Sequence, residues 1–301
     1  MKPIIVGSRG SALALAQTRL IVAELKKTWS ARNFEIHIIK TQGDKLSEGP
    51  LKPGETLSKG LFTSELEQAL LQGKIDLAVH SLKDLPTTDS EGLTIAAIPK
   101  RADARDVLIT RRADLADALR AGAVIATGSP RRAAQLKVLR DDLTTAEIRG
   151  NIDTRLRKFR ETPAWSGLVL ASAGLQRLKP DMQGLFATPL SFEQMLPAPG
   201  QGALALQIRA KDTDDIRKLT SALHDPVTAG AVTAERMFLN ALGGGCREPI
   251  AAYAEPGPDG TLTMEGIAWL FGETEPRRGR LTRRLEQAEA LGVDLAVEIS
   301  R

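Results

Sequence analysis

The stretch Ile4-Ile5-Val6-Gly7-Ser8-Arg9-Gly10-Ser11 decides the fold, because it joins a strand pattern directly to a helix pattern. The apolar run at residues 4–7 predicts a short buried strand. Apolar residues at helical spacing predict a helix over residues 12–27, and alternation predicts a second strand at 34–38. A strand, a polar turn, a helix and a strand in this order indicate a mainly parallel sheet with helices on both faces.

The same order of patterns recurs further along the chain and predicts a second lobe. Strands are predicted at residues 124–126, 144–148 and 168–170, and a helix signal follows each of them. Ser129-Pro130 is a strong helix start, because serine can cap a helix and proline suits its first position. The sequence therefore predicts an α/β fold with two lobes.

Two proline-containing connectors set the expected domain boundaries. Residues 99–103 look like a crossing segment, and residues 197–202 (PAPGQG) look like a hinge that returns the chain to the first sheet. Beyond residue 217, a helix, two strands joined at Asp259-Gly260 and a closing helix indicate a small α+β domain. We therefore expect a first α/β lobe at 1–99 and 200–217, a second at 100–199, and a C-terminal α+β domain at 218–301 that carries the cysteine.

The composition restricts the class of protein. The chain has 301 residues, of which 26% are charged and 42% hydrophobic, as in a globular protein of two or three domains. One cysteine excludes an internal disulfide, and together with three histidines it offers no zinc spacing, so no metal site is expected. The N-terminal apolar run is too short for a signal peptide, and no run reaches transmembrane length. We therefore expect a cytoplasmic protein that does not engage a membrane.

Arginines cluster at the predicted strand-to-helix junctions. The junctions carry Arg9, then Arg131 with Arg132, then Arg149 with Arg155, and finally Arg177. Arginine binds carboxylates and phosphates through two parallel hydrogen bonds, and a helix N-terminus favours an anion. The pattern predicts a cleft for a polyanion, with a solvated basic face as the alternative. Aromatic residues make up only 4% of the chain, which disfavours stacking on single-stranded nucleic acid.

Asp84 is a candidate catalytic carboxylate. The strand predicted at residues 75–80 runs into Ser81-Leu82-Lys83-Asp84-Leu85-Pro86, where Pro86 keeps Leu85 out of the helical conformation. We therefore expect Asp84 on a loop at the carboxyl end of a buried strand, where open α/β sheets bind ligands. A turn cap or a pair with Lys83 is the local alternative. The glycine- and proline-rich segment 41–60 is expected to be a lid or a binding loop.

The lone cysteine lies in Gly243-Gly244-Gly245-Cys246-Arg247-Glu248-Pro249. Three consecutive glycines favour a loop over a helix or a strand, because glycine loses the most backbone freedom on ordering. A thiol on such a loop, next to an arginine, is a candidate for covalent chemistry. A small buried hydrophobic side chain is the alternative.

Ordered sequence blocks along nearly the whole chain resemble the porphobilinogen deaminase family, also called the hydroxymethylbilane synthases. Several blocks in one order are far more specific than any single short motif. The blocks are Gly7-Ser8-Arg9 with Ser11, Leu13, Ala14 and Gln17; Lys59-Gly60-Leu61-Phe62; residues 76–86 (DLAVHSLKDLP); Arg131-Arg132; Arg149-Gly150-Asn151 with Thr154-Arg155-Leu156; Ala173-Gly174-Leu175; Pro199-Gly200-Gln201-Gly202; and Gly244-Gly245-Cys246.

The resemblance implies two doubly wound lobes like those of periplasmic binding proteins, with the active site in the cleft between them, and a small third domain. It also implies a dipyrromethane cofactor joined to Cys246 by a thioether. The implied reaction links four porphobilinogen molecules head to tail onto this primer, releases ammonia at each addition, and hydrolyses off the linear tetrapyrrole hydroxymethylbilane. The implied partner is porphobilinogen, and we expect a monomer that binds no nucleic acid.

The family's functional residues map onto matching positions of this chain. Asp84 matches the catalytic aspartate, which stabilises the cation left after ammonia departs and transfers protons. Each porphobilinogen unit carries an acetate and a propionate, so basic residues are expected to bind carboxylates. The implied cofactor contacts are Cys246, Lys83, Thr127, Ser129, Arg131, Arg132 and Gly150, and the implied substrate contacts are Arg9, Ser11, Lys59, Arg149, Arg155 and Arg177.

Three features depart from the family's pattern, and two other functions stay open on the residues alone. Gly128 and Pro130 stand where the family often has a second serine and a non-proline residue, Gln176 stands where a basic residue is common, and the chain ends soon after its last helix. A non-catalytic anion sensor would explain the arginines but not the cysteine loop. Nucleic-acid binding is disfavoured, because the arginines lie at separate junctions rather than along one helix.

Overall fold

The computed structural model of the chain describes residues 2–41, 63–114, 118–212, 214–244, 249–270, 273 and 275–301. Nearly all of the expected lid, including Lys59, lies outside the described residues, and so does Cys246. The chain divides into two compact units, the first comprising Met1–Ala102 and Ala203–Gly230 and the second comprising Asp103–Gly202 and Ala231–Arg301.

The described strands and helices follow one another in an α/β order until the C-terminal region. The strands are β1 Ile4–Arg9, β2 Phe34–Ile39, β3 Leu77–Ser81, β4 Leu93–Ala97, β5 Asp106–Thr110, β6 Val124–Ala126, β7 Thr144–Ala146, β8 Gly167–Ala171, β9 Phe186–Pro189, β10 Leu204–Arg209, β11 Ile250–Pro256, β12 Thr261–Ala268 and β13 Arg277–Arg284. The helices are α1 Ala12–Thr28, α2 Ser64–Leu71, α3 Pro130–Leu139, α4 Ile152–Glu161, α5 Ser172–Leu178, α6 Asp214–Ser221, α7 Pro226–Ala241 and α8 Ala288–Ser300.

The first unit is an α/β lobe around a five-stranded sheet in the order β2-β1-β3-β10-β4. Its apolar core buries Leu25 of α1 against Val6 and Leu206, while Leu66 and Leu70 of α2 pack in a separate cluster with β3 and β4. The strand predicted at residues 4–7 is confirmed and continues to Arg9. The expectation of a mainly parallel sheet is only half right, because β10 runs antiparallel to both β3 and β4.

The second unit contains another α/β lobe around a sheet in the order β7-β6-β8-β5-β9. Here β6 is parallel to β7 and β8, whereas β5 is antiparallel to β8 and β9. Leu136 of α3 packs in one cluster with Leu108 and Ile125, and Phe159 of α4 packs in the other with Leu168. The three parallel strands therefore end at one edge of this sheet, each followed by a helix.

The rest of the second unit is a small α+β domain. The antiparallel sheet β11-β12-β13 is covered by α7 and α8, and Phe238, Met264 and Leu291 are fully buried between them. A Cβ atom on Gly292 would lie 2.1 Å from the carbonyl oxygen of Ala234, so only glycine allows α8 to pack this closely on α7. The fold is thus two α/β lobes plus a C-terminal α+β domain. None of the helices in the described ranges is long and apolar enough to cross a bilayer.

Candidate active site

Two strand ends of the first lobe bring four predicted site residues to one edge of its sheet. β1 and β3 are parallel neighbours, so their carboxyl ends lie side by side. Arg9 ends β1 and Ser11 caps α1, accepting a hydrogen bond from a backbone N–H in its first turn at 3.3 Å. Lys83 and Asp84 follow β3, and all four residues are half-buried. The edge therefore combines two cations, a hydroxyl and a carboxylate.

Asp84 lies on a single 3₁₀ turn, Leu82–Asp84, rather than on an irregular loop. The backbone N–H of Leu82 donates to Ala203 at 3.0 Å, and that of Leu85 donates back to Leu82 at 3.1 Å, which fixes the turn. Within the described part of the chain, the Asp84 carboxylate makes no hydrogen bond or ion pair. The two local alternatives, a turn cap and a pair with Lys83, are therefore not formed.

A chain of hydrogen-bonded polar side chains begins at His80 of β3, just before this turn, and the sequence did not predict it. His80 is 4% exposed, its Nε2 lies 3.1 Å from Oε1 of Gln207, and Nε2 of Gln207 donates to Glu67 at 2.9 Å. Burial lowers the pKa of His80 to about 4, the hydrogen bond to Gln207 opposes this, and the positive charge of Arg9 adds to it. The imidazole is thus neutral at physiological pH, and its hydrogen bond to Gln207 links β3 to β10.

In the second lobe, Thr127 and Ser129 occupy the turn between β6 and α3. The Thr127 hydroxyl accepts from the backbone N–H of Ser129 at 3.2 Å, and the Ser129 hydroxyl accepts from that of Arg132 at 3.5 Å. Because both hydroxyls act as acceptors, each keeps its own hydrogen to donate to a ligand. A Cβ atom on Gly128 would lie 2.5 Å from the carbonyl oxygen of Ile148, so the turn has no room for a side chain at this position.

Arg131 and Arg132 lie in the first turn of α3, as predicted, but both are buried against one carboxylate. The side chain of Asp106 is fully buried and accepts from NH1 of Arg131 and from NH2 of Arg132, each at 2.8 Å. NH1 of Arg131 also donates to the carbonyl oxygen of Leu196 at 2.6 Å, and NH1 of Arg132 donates to that of Val169 at 3.0 Å. The sequence predicts an anion on this turn. One such anion is the Asp106 carboxylate, which the protein itself supplies.

The turn after β7 carries three further predicted contacts. Arg149 is exposed and pairs with Glu147 at 2.6 Å. Gly150 has a φ of +116°, a conformation that side chains rarely adopt, and its carbonyl oxygen accepts from Nε of Arg155 at 2.7 Å. Burial lowers the pKa of Arg155 to about 10, and the charge of Arg132 acts in the same direction. Arg155 has no acidic partner among the described residues.

Arg177 lies on α5, beyond the end of β8. Its NH2 donates to the carbonyl oxygen of Gly202 at 2.6 Å, burial lowers its pKa to about 10, and no carboxylate of the described ranges pairs with it. Gln201, which precedes Gly202, is buried. Its Nε2 donates to the Ala104 carbonyl oxygen and to Oδ1 of Asp106, both at 2.8 Å. The connector expected at residues 197–202 is therefore hydrogen-bonded, through Gln201, to the same Asp106 carboxylate that binds Arg131 and Arg132.

The structure thus describes the predicted site in two separate groups. In the first unit it brings together Arg9, Ser11, Lys83 and Asp84, and in the second it brings the hydroxyls, the arginines and Gly150 to the ends of β6, β7 and β8. Lys59 and Cys246 lie outside the described residues. Across the part of the chain that is described, no three His, Cys, Asp or Glu side chains are grouped so that they could hold a metal ion.

Comparison with known proteins gives one family description over almost the whole chain. The family model "Porphobilinogen deaminase, dipyromethane cofactor binding domain" matches residues 4–217, and "Porphobilinogen deaminase, C-terminal domain" matches residues 229–301. The porphobilinogen deaminase of Thermus thermophilus is 45% identical over 299 residues, which cover 99% of this chain and 96% of that protein. The one from Syntrophus aciditrophicus is 46% identical over 294 residues, 97% of this chain and 93% of that protein. The one from Deinococcus radiodurans is 43% identical over 302 aligned positions, 99% of this chain and 96% of that protein.

Proposed function

Because this chain belongs to the porphobilinogen deaminase family of tetrapyrrole synthesis, we propose that it is a transferase that joins four porphobilinogen molecules head to tail and releases hydroxymethylbilane. Its N-terminal part matches the family's dipyrromethane-cofactor-binding domain. The finer points of the proposal concern which residues hold the cofactor and the substrate, how the cofactor is attached, and which residue moves protons.

The observation that carries the proposal is the pair of arginines without counter-ions in the second lobe. Arg155 and Arg177 are both half-buried, both have a pKa lowered by burial to about 10, and neither has a carboxylate partner among the described residues. Burying an unpaired guanidinium group is costly unless a ligand supplies the missing negative charge. A ligand that carries several carboxylates supplies it.

A dipyrromethane with acetate and propionate side chains fits this set of donors. The hydroxyls of Thr127 and Ser129 can each donate a hydrogen bond, and Arg131 and Arg132 supply cationic N–H groups between them. Gly150 leaves the backbone open where a side chain would meet Thr154. When bound, the group supplies a primer whose free end is extended by each incoming porphobilinogen. The residues of this lobe bind and orient its carboxylates, and Lys83 of the first lobe is proposed to do the same.

Asp84 is the proposed catalytic residue. Its carboxylate is half-buried and unengaged, so it is available to hydrogen-bond pyrrole N–H groups, to stabilise the positive charge that develops as ammonia leaves, and to transfer protons. Arg9, Ser11, Lys59, Arg149, Arg155 and Arg177 are the proposed contacts to the carboxylates of the substrate and the growing chain. The neutral His80 behind the turn adds no charge that would compete for the carboxylate.

Cys246 is the proposed attachment point, through a thioether, because a tethered primer stays at high effective concentration through successive additions. Intact mass under denaturing conditions tests this directly. We expect a mass above that of the polypeptide by one dipyrromethane, and the unmodified mass in Cys246→Ser. An unmodified mass in a preparation that consumes porphobilinogen and releases ammonia would exclude the tether. The same measurement separates this function from a non-catalytic anion sensor.

We also propose that the protein acts as a cytoplasmic monomer, with porphobilinogen as its partner and without nucleic acid. The proposed division of labour places the first lobe at 1–99 and 200–217, the second at 100–199 and the cysteine-bearing domain at 218–301. Size-exclusion chromatography with light scattering tests the oligomeric state, for which we expect the mass of one chain of 32.4 kDa. Binding to RNA or DNA that weakens steeply with salt would contradict the last point.

A further inference from the structure

A single buried carboxylate organises the guanidinium groups at the start of α3. Oδ2 of Asp106 accepts from Arg131, while Oδ1 accepts from Nε and NH2 of Arg132 and from Nε2 of Gln201. Burial alone would raise the pKa of Asp106, but the charges and hydrogen bonds of the two arginines outweigh it and hold this pKa well below its usual range. Asp106 is therefore ionised at any pH at which the protein works.

The group formed by Asp106, Arg131, Arg132 and Arg155, here called the cationic cluster, is not neutral. Arg131 and Arg132 pair with its one carboxylate and Arg155 donates to the Gly150 carbonyl oxygen instead, so the four side chains together carry a net charge of two positive units. The turns that precede α3 and α4 are in contact, since a Cβ atom on Gly128 would lie 2.5 Å from the carbonyl oxygen of Ile148, and the charge of Arg132 lowers the pKa of Arg155. Within the described ranges no second carboxylate pairs with the cluster. Buried positive charge without a counter-ion is costly, and a ligand anion would offset that cost.

The hydrogen bonds of Arg131 also leave one side of its guanidinium group available. NH1 is used by Asp106 and by the carbonyl oxygen of Leu196, at 2.8 and 2.6 Å. Nε and NH2, the fork that binds a carboxylate through two parallel hydrogen bonds, have no partner among the described residues. Because the guanidinium group is planar, fixing NH1 also fixes the direction of this fork.

We propose that Asp106 is a positioning residue for carboxylate binding: it holds the Nε–NH2 fork of Arg131 open and sets the charge deficit of the cationic cluster at two carboxylates, the number carried by one porphobilinogen-derived ring. The proposal rests on the proposed function, because it takes the ligand of Arg131, Arg132 and Arg155 to be a pyrrole with an acetate and a propionate. Asp106 itself touches no ligand and acts through the arginines.

Asp106→Asn tests the proposal, because it keeps the shape of the side chain and removes its charge. The cluster then carries three positive units and Arg131 loses its fixed direction. Because Arg155 of the cluster is also a proposed substrate contact, we expect KM for porphobilinogen to rise by about tenfold or more with a smaller change in kcat. We expect a smaller fraction of the purified protein to carry the dipyrromethane mass. We also expect the melting temperature to rise more steeply with sulfate concentration than in the parent protein, because sulfate supplies the missing charge.

Asp103→Asn is the matched control, because it removes a carboxylate three residues away whose ion pair is with Arg105, outside the cluster. We expect it to keep the parent KM, dipyrromethane mass and sulfate dependence. If Asp106→Asn differs from this control only by a lower melting temperature, Asp106 is merely structural and the inference is wrong. A parent protein without the dipyrromethane mass would instead refute the proposed function, whatever the Asp106 variants do.

The double variant Asp106→Asn/Arg131→Gln covers the case in which the single variant does not fold. It restores the net charge of the cluster to two positive units but not the fork of Arg131. We expect it to be more stable than Asp106→Asn and to lose the added sulfate dependence, while its KM stays high. A double variant that is no more stable than the single one shows that Asp106 does not balance charge. A double variant with the parent KM shows that it does not orient Arg131. Either result overturns the proposal.

Discussion

Substituting Asp84 tests the proposed catalytic carboxylate without disturbing any contact that the structure shows, because its side chain has no partner among the described residues. We expect Asp84→Ala to melt like the parent protein and to lose turnover by about a thousandfold or more, because the cation left after ammonia loss is no longer stabilised. Asp84→Glu should keep a small part of the activity. Asp89→Ala, an exposed carboxylate on the same segment, is the control. Near-parental turnover of Asp84→Ala in a steady-state assay would identify another carboxylate as catalytic.

Arg149 offers a test of chain elongation, because it is exposed and Glu147 is its one ion-pair partner among the described residues. If Arg149 binds a substrate carboxylate as proposed, removing its guanidinium group should weaken that binding by roughly 1–3 kcal/mol. We expect Arg149→Gln to accumulate protein-bound partial chains, measured by denaturing mass spectrometry after a short reaction. Arg157→Gln removes an exposed arginine that pairs with Glu161 on α4 and should keep the parent distribution of chains. A parent-like distribution in Arg149→Gln would remove Arg149 from the binding set.

His80 predicts how stability depends on pH. Its pKa is about 4 in the folded protein and near 6.5 when unfolded, so the unfolded chain binds the proton first as the pH falls. The stabilisation is complete above about pH 6.5 and is lost as the pH falls toward 4, by about 2 kcal/mol between pH 7 and pH 5. Urea unfolding at both pH values should show His80→Asn losing about 2 kcal/mol less than the parent over this interval. His37→Asn, at an exposed site, should lose as much as the parent. An equal loss in His80→Asn would trace the pH dependence to other groups.

The sequence predicts those site residues that lie next to a local turn or helix-capping signal. Asp84 before Leu85-Pro86 and Arg131 after Ser129-Pro130 follow from turn and capping chemistry, and the structure places them at the expected element ends. Asp106 had no such signal, because its partners Arg131, Arg132 and Gln201 are 25, 26 and 95 residues away. Only the folded sheet shows that the arginines already share a carboxylate.

The turn between β6 and α3 gives a prediction that concerns two neighbouring elements. A Cβ atom at Gly128 would lie 2.5 Å from the backbone oxygen of Ile148, in the turn that follows β7. Backbone cannot give way as a side chain can, so Gly128→Ala must push the two turns apart. We expect a loss of about 1–3 kcal/mol in the free energy of unfolding and a raised KM, because Thr127 and Ser129 flank the glycine. Unchanged values in denaturant titration and steady-state kinetics would mean that the turns separate freely.

The strands differ in how far their sequences reveal them. The sequence predicts β10 as a strand but does not predict its antiparallel pairing with β3. This pairing joins residues far apart in the chain, such as Leu204 and Ser81. β13 was missed: its sequence RRGRLTRR contains five arginines and one leucine, and its exposed side chains alternate along a sheet edge. Hydrophobic periodicity detects strands that bury a face, and this strand buries too few apolar atoms to give that signal.

The described part of the second unit contains two half-buried arginines that none of its described carboxylates neutralises. Arg155 and Arg177 each have a pKa lowered by burial to about 10, which means that folding works against their charged forms. A lowered pKa of this size corresponds to a cost of at most about 3 kcal/mol for each group while no anion is bound, and solvent screening of these partly exposed groups reduces it. The stability of the unit should therefore depend on whether the proposed dipyrromethane is attached.

Combining Arg155→Gln with Cys246→Ser tests this dependence, because the effect of Arg155→Gln on stability should have opposite signs with and without Cys246. With the proposed tethered dipyrromethane present, Arg155→Gln should remove the proposed carboxylate contact and lower the melting temperature. In the Cys246→Ser background, which lacks the tether, the same substitution removes an uncompensated buried charge. We expect it to raise the unfolding free energy there by about 1–2 kcal/mol, after allowance for the lost bond to Gly150. Calorimetry of the four proteins at one ionic strength, without sulfate or phosphate, measures both effects. Arg157→Gln should change neither background, and the same sign in both would show that Arg155 does not contact the tethered group.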